Sequence, residues 1–212
     1  LFPYTTLFRS ALLWRDRLGQ ISLAVTTLFW GAGATLQFIV IKWAEVSLHL
    51  DLSKSSMLQG VVAIGVALGA AGAARMITLR KSVRVIPLGI AMGIIVNVMI
   101  FVTDMPLAMG LMVLIGALSG FFVVPMNALL QHRGHILMGA GHSIAVQNFN
   151  ENLSILVMTG LYAFLIRSGF SINTVVVAFG LFVAGTMYLV KLRHEANQRQ
   201  FDSVAQLDDI RH

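Results

Sequence analysis

Long stretches without charged residues alternate along the chain with short segments in which the charges collect. Six such stretches occur, at Leu18–Ile41, Ser55–Ala74, Val85–Thr103, Met105–His132, Gly134–Ile166 and Ser168–Val190, and only the fifth is interrupted, by Glu151. Each is long enough to cross a hydrocarbon layer of about 30 Å, because an α-helix rises about 1.5 Å per residue. No strand-like alternation of polar and apolar positions favours a barrel. The pattern therefore predicts an all-α membrane protein with six transmembrane helices.

Composition supports a membrane environment. Hydrophobic residues make up 57% of the chain, charged residues make up 11%, and the mean hydropathy is +0.82. A typical soluble domain is about 45–50% apolar and about 25% charged, so this chain has too few charges to cover a water-exposed surface. The chain has no cysteine, which excludes disulfides and thiolate metal ligands. The net charge of +6 predicts no nucleic-acid partner, because the basic residues lie between apolar stretches.

The distribution of basic residues predicts the orientation of the helices. With Arg9 set aside, one predicted side holds Arg15, Arg17, Arg75, Arg80, Lys81, Arg84, Arg133, Lys191, Arg193, Arg199 and Arg211. The opposite side holds Lys42, Lys54 and Arg167. Because lysine and arginine concentrate on the cytoplasmic side of membrane proteins, both ends of the six-helix unit are predicted to be cytoplasmic. Residues 11–17 are then a cytosolic lead-in, residues 18–191 the membrane domain, and residues 192–212 a cytosolic tail.

The first ten residues, LFPYTTLFRS, do not fit this pattern. Back-translated as CTC TTT CCC TAC ACG ACG CTC TTC CGA TCT, they resemble a widely used DNA sequencing adapter in one frame across all ten codons. We expect residues 1–10 to be an assembly artefact and the native sequence to start near Ala11, with the upstream part of the gene missing. The alternative is a genuine amphipathic N-terminal segment.

Polar residues within the predicted spans are costly in lipid unless they face the interior, and they are densest in HSIAVQNFNENLSI of the fifth helix. At about 100° per residue, an arc of about 200° holds, in angular order, Asn150, Ser154, Gln147, Glu151, Asn148 and Asn152. Glu151 is the only acidic residue within a predicted span. A charge near the bilayer centre costs about 3 kcal/mol on insertion scales. Glu151 is therefore a functional candidate, and the alternative is a structural carboxylate paired to a neighbouring helix.

Two other helices carry polar candidates. In the fourth, Pro125 removes a backbone donor and can kink the helix, and Asn127 and Gln131 lie one turn apart. This arrangement suits a cavity wall, although an ordinary kinked helix has the same pattern. Gln37 is the main polar residue of the first helix and is either an interhelical hydrogen-bonding group or a ligand.

Small residues recur at four-residue spacing within three helices. The pairs are Gly65 and Gly69, Gly89 and Gly93, and Gly116 and Gly120. In membranes this spacing lets helix backbones approach closely. The spacing predicts helix–helix contacts and no phosphate-binding loop, because none of these glycines follows a strand.

Two enzyme or metal hypotheses have weak support. His132, His135 and His142 lie in one loop without acidic or cysteine ligands nearby, so the sequence predicts no metal and no cofactor. Ser119 raises the possibility of an intramembrane serine protease, which also has six spans. That chemistry requires a base that reaches the hydroxyl, and only the loop histidines are near.

Three motifs carry a family resemblance. TLFWGAGATLQF, GFFVVPMNALLQHRG and GAGHSIAVQNFNEN resemble the bacterial lysophospholipid transporter family of the major facilitator superfamily, in collinear order from about Trp14 to Leu192. The basic loop typical of the superfamily is incomplete in GAAGAARMITLRKS, where Ala74 stands in place of the acidic residue. The resemblance therefore does not extend to conformational gating by that acid in this chain.

The resemblance implies that the chain is the second six-helix half of a twelve-helix transporter, whose partner is a missing N-terminal half. It implies inverted three-helix repeats, with the first and fourth helices lining a central cavity. One face, from the first, second, fourth and fifth helices, would carry polar residues toward that cavity. The candidate substrate-binding residues are Gln37, Asn127, Gln131, Gln147, Asn148, Glu151 and Asn152.

The resemblance also implies a function. The family moves lysophospholipids, such as lysophosphatidylethanolamine, from the outer to the inner leaflet of the bacterial inner membrane, where an acyltransferase restores the missing chain. The chain contains no H-x4-D acyltransferase motif and is predicted not to be an enzyme. The alternative within transport is a drug-efflux permease of the same superfamily.

Overall fold

The computed structural model describes residues 10–205 and residue 207. Within that part all regular secondary structure is helical, beginning with a short stretch at residues 10–15. The prediction for the first ten residues lies outside the described residues, except at Ser10. The long helices are α1 (Arg17–Ser47), α2 (Leu52–Met76), α3 (Ile86–Val96), α4 (Met105–Met138), α5 (Ala140–Arg167) and α6 (Ile172–Gln200).

The six predicted spans are confirmed as helices. Five of them coincide with α1, α2, α4, α5 and α6, and the third is composite. In that span two 3₁₀ segments, Leu79–Val85 and Asn97–Phe101, flank α3, and the whole runs Leu79–Phe101. The mean hydropathy of the spans lies between 1.3 and 2.4. The chain is therefore a multi-pass membrane protein.

Several helices end at residues that differ from the ends of the charge-free stretches in the sequence. Helix α1 continues past Lys42 to Ser47, because a charged residue ends an apolar stretch without ending a helix. Lys42 and Glu45 pair at 3.0 Å on the exposed surface of this helix end. The break between α4 and α5 lies at Gly139, whose φ of 80° is in the left-handed region that favours glycine. The predicted break at residue 133 falls inside α4. Helix α6 runs on to Gln200, into the segment predicted as a tail.

Acidic residues fix the start of the first two helices. Asp16 accepts the backbone N–H of Gly19 at 2.7 Å, and Asp51 accepts that of Lys54 at 2.7 Å. Such N-caps contribute about 1 kcal/mol each, because they satisfy backbone donors that have no partner within the helix. Both acids lie just outside the apolar spans and thus set where each span begins.

Glycines bring α2 and α4 into backbone contact. The contact uses Gly65 and Gly69 of α2 and Gly116 and Gly120 of α4. A Cβ at Gly69 would collide with the backbone of Ala117, and one at Gly120 would collide with the carbonyl of Val66. The predicted packing role of these glycines is confirmed. Helices α2 and α4 form the most extensively contacting pair in the described part of the chain.

Two other helix pairs also meet through glycine. A Cβ at Gly93 of α3 would lie 2.6 Å from the carbonyl oxygen of Gly180 in α6. In the third pair, Gly31 of α1 faces Ser154 and Met158 of α5. The glycine contacts therefore join α2 to α4, α3 to α6, and α1 to α5. Residues of α1, α2, α4 and α5 surround a common space.

Candidate transport cavity

A cavity of about 590 Å³ lies between α1, α2, α4 and α5. Its wall is apolar, with Trp30, Val62 and Val123 among the lining side chains, except for three polar residues. Those three are Gln37 of α1, Gln59 of α2 and Ser119 of α4. A pocket of this size and character suits a ligand with a large apolar part and a few polar groups.

The two glutamines of the wall are linked. Gln59 Nε2 donates to the backbone carbonyl of Gln37 at 3.1 Å. Since this bond uses the backbone of Gln37, the Gln37 side-chain amide remains on the cavity wall, where it is exposed. Sequence analysis missed Gln59, and its only signal was that it is the one amide within the second apolar stretch.

A buried polar cluster joins α4 to α5. Gln147 Nε2 donates to Glu151 Oε1 at 2.8 Å and to Asn127 Oδ1 at 3.3 Å. Gln147 is 9% exposed and Glu151 is 8% exposed. Three of the predicted candidates are thus brought together by direct contact, and we call Asn127, Gln147 and Glu151 the amide–carboxylate cluster.

The amide–carboxylate cluster lies at one end of the cavity. Asn127 follows the cavity-lining Val123 by one helical turn of α4, and Glu151 precedes the cavity-lining Ile155 by one turn of α5. Helices α4 and α5 are antiparallel around Gly139, so both steps lead toward the same end of the bundle. The cluster therefore lies one helical turn beyond the lining residues of the cavity, and none of its three side chains is part of the cavity wall.

The remaining candidates lie elsewhere. Asn148 and Asn152 are exposed and line an open groove on the outer side of α5, where Asn152 Nδ2 donates to the Asn148 carbonyl at 2.8 Å. Gln131 is exposed near the end of α4. Neither the groove nor Gln131 belongs to the cavity wall. The structure thus does not gather the seven predicted residues into one site.

The other edge of the polar arc packs against the start of the chain and α1. Asn150 Nδ2 donates to Ser10 Oγ at 3.3 Å and to the Val146 carbonyl at 2.8 Å. Ser154 lies against Gly31. These contacts give Asn150 and Ser154 a packing role, and only the middle of the arc reaches the cavity end.

In the described residues, no arrangement of side chains supports the serine-protease hypothesis or the metal-site hypothesis. Ser119 Oγ donates to Met92 Sδ at 3.8 Å, and no basic side chain of the described residues hydrogen-bonds to it. In residues 10–205 and 207, no group of three His, Asp or Glu side chains is placed to hold a metal ion.

An ion pair that sequence analysis missed connects two distant helix ends. Arg133 Nη2 lies 2.5 Å from Asp16 Oδ1, and Arg133 Nε donates to Asp16 Oδ2 at 3.0 Å. The two side chains are 23% and 16% exposed. The pair fixes the start of α1 against the last turns of α4, and it is bidentate, the strongest geometry for arginine and carboxylate.

Comparison with known proteins finds similar sequences among curated bacterial transporters. Two similar proteins, from Yersinia pestis (strain Pestoides F) and Yersinia pseudotuberculosis serotype O:3 (strain YPIII), are each named "Lysophospholipid transporter LplT". Each is 46% identical over 159 residues, which cover 74% of this chain and 39% of the relative. No protein-family model and no solved structure matches the chain. The chain spans about two fifths of the length of these curated relatives, and it is similar to them over 74% of its own length.

Proposed function

We propose that this chain forms half of a transporter that moves lysophospholipids from the outer to the inner leaflet of the bacterial inner membrane. The observation that carries the proposal is the identity of 46% to proteins named lysophospholipid transporter. The aligned length is too great, and the identity too high, for the resemblance to reflect apolar composition alone.

The cavity supports this substrate class chemically. A lysophospholipid has one acyl chain and a phosphate-bearing head group, so it needs an apolar wall that ends in polar groups. The wall around Trp30, Val62 and Val123 accepts the chain. At the cavity end, Gln147 Nε2 holds Asn127 and Glu151 together through its two donors. The Asn127 amide N–H groups are then the donors for a phosphate, and Glu151 offers a carboxylate for the ammonium of an ethanolamine head.

The proposal includes a partner and excludes catalysis. The cavity is open, and a second six-helix half of the major facilitator type would close it. The substrate would leave the transporter unchanged, and an acyltransferase would then restore its second chain. Ser119 faces a methionine sulfur, which supports transport over serine hydrolysis.

The proposed function can be tested with a chimera, in which residues of this chain replace part of a known transporter. The 159 aligned residues of this chain replace their counterparts in the Yersinia pestis transporter, in cells that lack their own lysophospholipid transporter. We expect uptake of labelled lysophosphatidylethanolamine near the level of the unaltered Yersinia protein. A cationic dye is the control substrate. Export of the dye without lysolipid uptake would instead favour the drug-efflux permease.

The orientation is tested separately, and the absence of cysteine in the chain makes labelling clean. Ser53 near the start of α2 and Ala196 near the end of α6 are both exposed. The positive-inside distribution places Ser53 outside the cytoplasm and Ala196 within it. In intact spheroplasts, a membrane-impermeant maleimide should label Ser53→Cys and spare Ala196→Cys, and permeabilisation should expose both. The reverse pattern would overturn the orientation.

A further inference from the structure

A second pocket, of about 380 Å³, lies at the end of the bundle where α1 begins and where α4 and α6 end. It shares no lining residue with the transport cavity. We call it the arginine pocket, and its polar and aromatic lining residues are Arg15, Asp16, Arg17, Arg133, Phe201 and Ser203.

The charges of the arginine pocket do not balance. The carboxylate of Asp16 is fully engaged, because it accepts two hydrogen bonds from Arg133 and one from the N–H of Gly19. No acidic side chain of the described residues forms an ion pair with Arg15 or Arg17. Among the lining residues that the structure describes, the pocket therefore has three guanidinium groups and one carboxylate, a surplus of two positive charges.

Arg17 contacts neighbouring groups, but one of its guanidinium nitrogens lacks a hydrogen-bond acceptor among the described residues. Its guanidinium lies 5.2 Å from the centroid of the Phe201 ring, and its backbone carbonyl accepts a hydrogen bond from Asn197 Nδ2 at 3.4 Å. The Nη1 atom is buried, and it has no hydrogen-bond partner among the described residues. A buried charged donor without an acceptor is unfavourable, so an anion that accepts from Nη1 would stabilise the Arg17 side chain.

The residues that precede the arginine pocket in the chain favour a position at the surface of the bilayer. Leu12 and Trp14, just before the lining residue Arg15, are exposed, with Trp14 45% exposed. Tryptophan concentrates at the membrane–water interface, where its ring contacts acyl chains and its N–H contacts head groups. A tryptophan at this point of the chain therefore favours a pocket close to the lipid phosphates.

We propose that the arginine pocket binds the phosphate group of an anionic phospholipid, as a site separate from the transport cavity. Guanidinium groups bind phosphate through paired charge-assisted hydrogen bonds, and basic pockets at helix ends are typical sites for anionic head groups. A soluble phosphate ester offers the same chemistry from the water side. The exposed Trp14 and Leu12 favour the lipid as its source.

Native mass spectrometry of the purified chain in detergent micelles tests the site, with phosphatidylglycerol, phosphatidylcholine and glycerol 3-phosphate as probes. We expect phosphatidylglycerol to bind at least tenfold more tightly than phosphatidylcholine. The double variant Arg15→Gln/Arg17→Gln should reduce phosphatidylglycerol binding about hundredfold or more, because each of the two lost charge-assisted contacts corresponds to about tenfold or more. Arg17→Lys, which retains the charge, should give an intermediate loss. Arg167→Gln, at the opposite end of the bundle, is the matched control and should bind normally.

Each outcome of this experiment either supports or overturns the proposed phospholipid site. Equal binding of the two phospholipids by the unaltered chain, or normal phosphatidylglycerol binding by the double variant, would overturn the proposal. Because the comparison of lipids uses the unaltered chain, it holds even where a variant fails to fold. Displacement of phosphatidylglycerol by glycerol 3-phosphate would support the phosphate chemistry and identify a source in water, whereas lack of displacement would identify the lipid.

Discussion

Glu151→Gln is expected to reach the membrane at normal levels and to lose lysophospholipid transport by about tenfold or more. Glutamine keeps the shape of the side chain and an oxygen that can accept the hydrogen bond from Gln147, so packing between α4 and α5 is retained. Only the negative charge is removed. The expected loss corresponds to one charge-assisted contact with the substrate, about 1.5–3 kcal/mol. Lysophosphatidylethanolamine uptake in the chimera measures it.

Two further substitutions serve as comparisons for Glu151→Gln. Glu151→Asp retains the charge on a shorter side chain and should be partly active. Glu45→Gln removes an exposed carboxylate whose partner is Lys42, at the far end of α1, and should transport normally. If Glu151→Gln transports at near-normal rates, Glu151 is a structural residue, and the head-group site must be sought around Asn127.

The second large effect is on stability, at the contact between α2 and α4. Gly69→Ala and Gly120→Ala should each destabilise the folded protein by about 1–3 kcal/mol, a typical cost of overpacking. In both cases the added methyl group meets backbone atoms of the facing helix, at Ala117 and Val66, and backbone cannot move aside as a flexible side chain can. Unfolding in a denaturing detergent, followed by circular dichroism, measures the loss.

The same two helices provide the controls. A Cβ at Gly60 of α2 or at Gly110 of α4 would have no atom within 4 Å. Gly60→Ala and Gly110→Ala make the same chemical change in the same helices, so they should leave stability unchanged or slightly increased. Equal destabilisation by all four variants would show that the close approach of α2 to α4 is not what these glycines provide.

Much of the fold was predictable because lipid limits the options. A chain with stretches as apolar as Met105–His132 must form helices in a bilayer, where unpaired backbone groups have no water. Glycine spacing predicted that Gly69 and Gly120 take part in helix contacts, though not that they face each other. Helix ends were less predictable, since a charged residue marks the end of an apolar stretch and not the end of a helix, and α1 continues past Lys42 to Ser47.

The candidate site was only partly predictable. Helical geometry put Ser154 and Glu151 on one arc, but the neighbours of α5 decide their environments, with Ser154 against Gly31 and Glu151 next to Gln147. The pair of Asp16 and Arg133 joins residues 117 positions apart, and no local pattern predicts such a contact. Long-range neighbours depend on how six helices assemble, which periodicity within each helix does not specify.

The central claim is that the cavity between α1, α2, α4 and α5 holds the acyl chain of a lysophospholipid. Its most direct test is photo-crosslinking of the chimera with lysophosphatidylethanolamine that carries a diazirine on its acyl chain, mapped by mass spectrometry. We predict labelling at cavity-lining residues such as Trp30 and Val123, with unlabelled lysolipid as competitor. Labelling confined to lipid-facing residues of α6, such as Leu181 and Leu189, and insensitive to competitor, would contradict it.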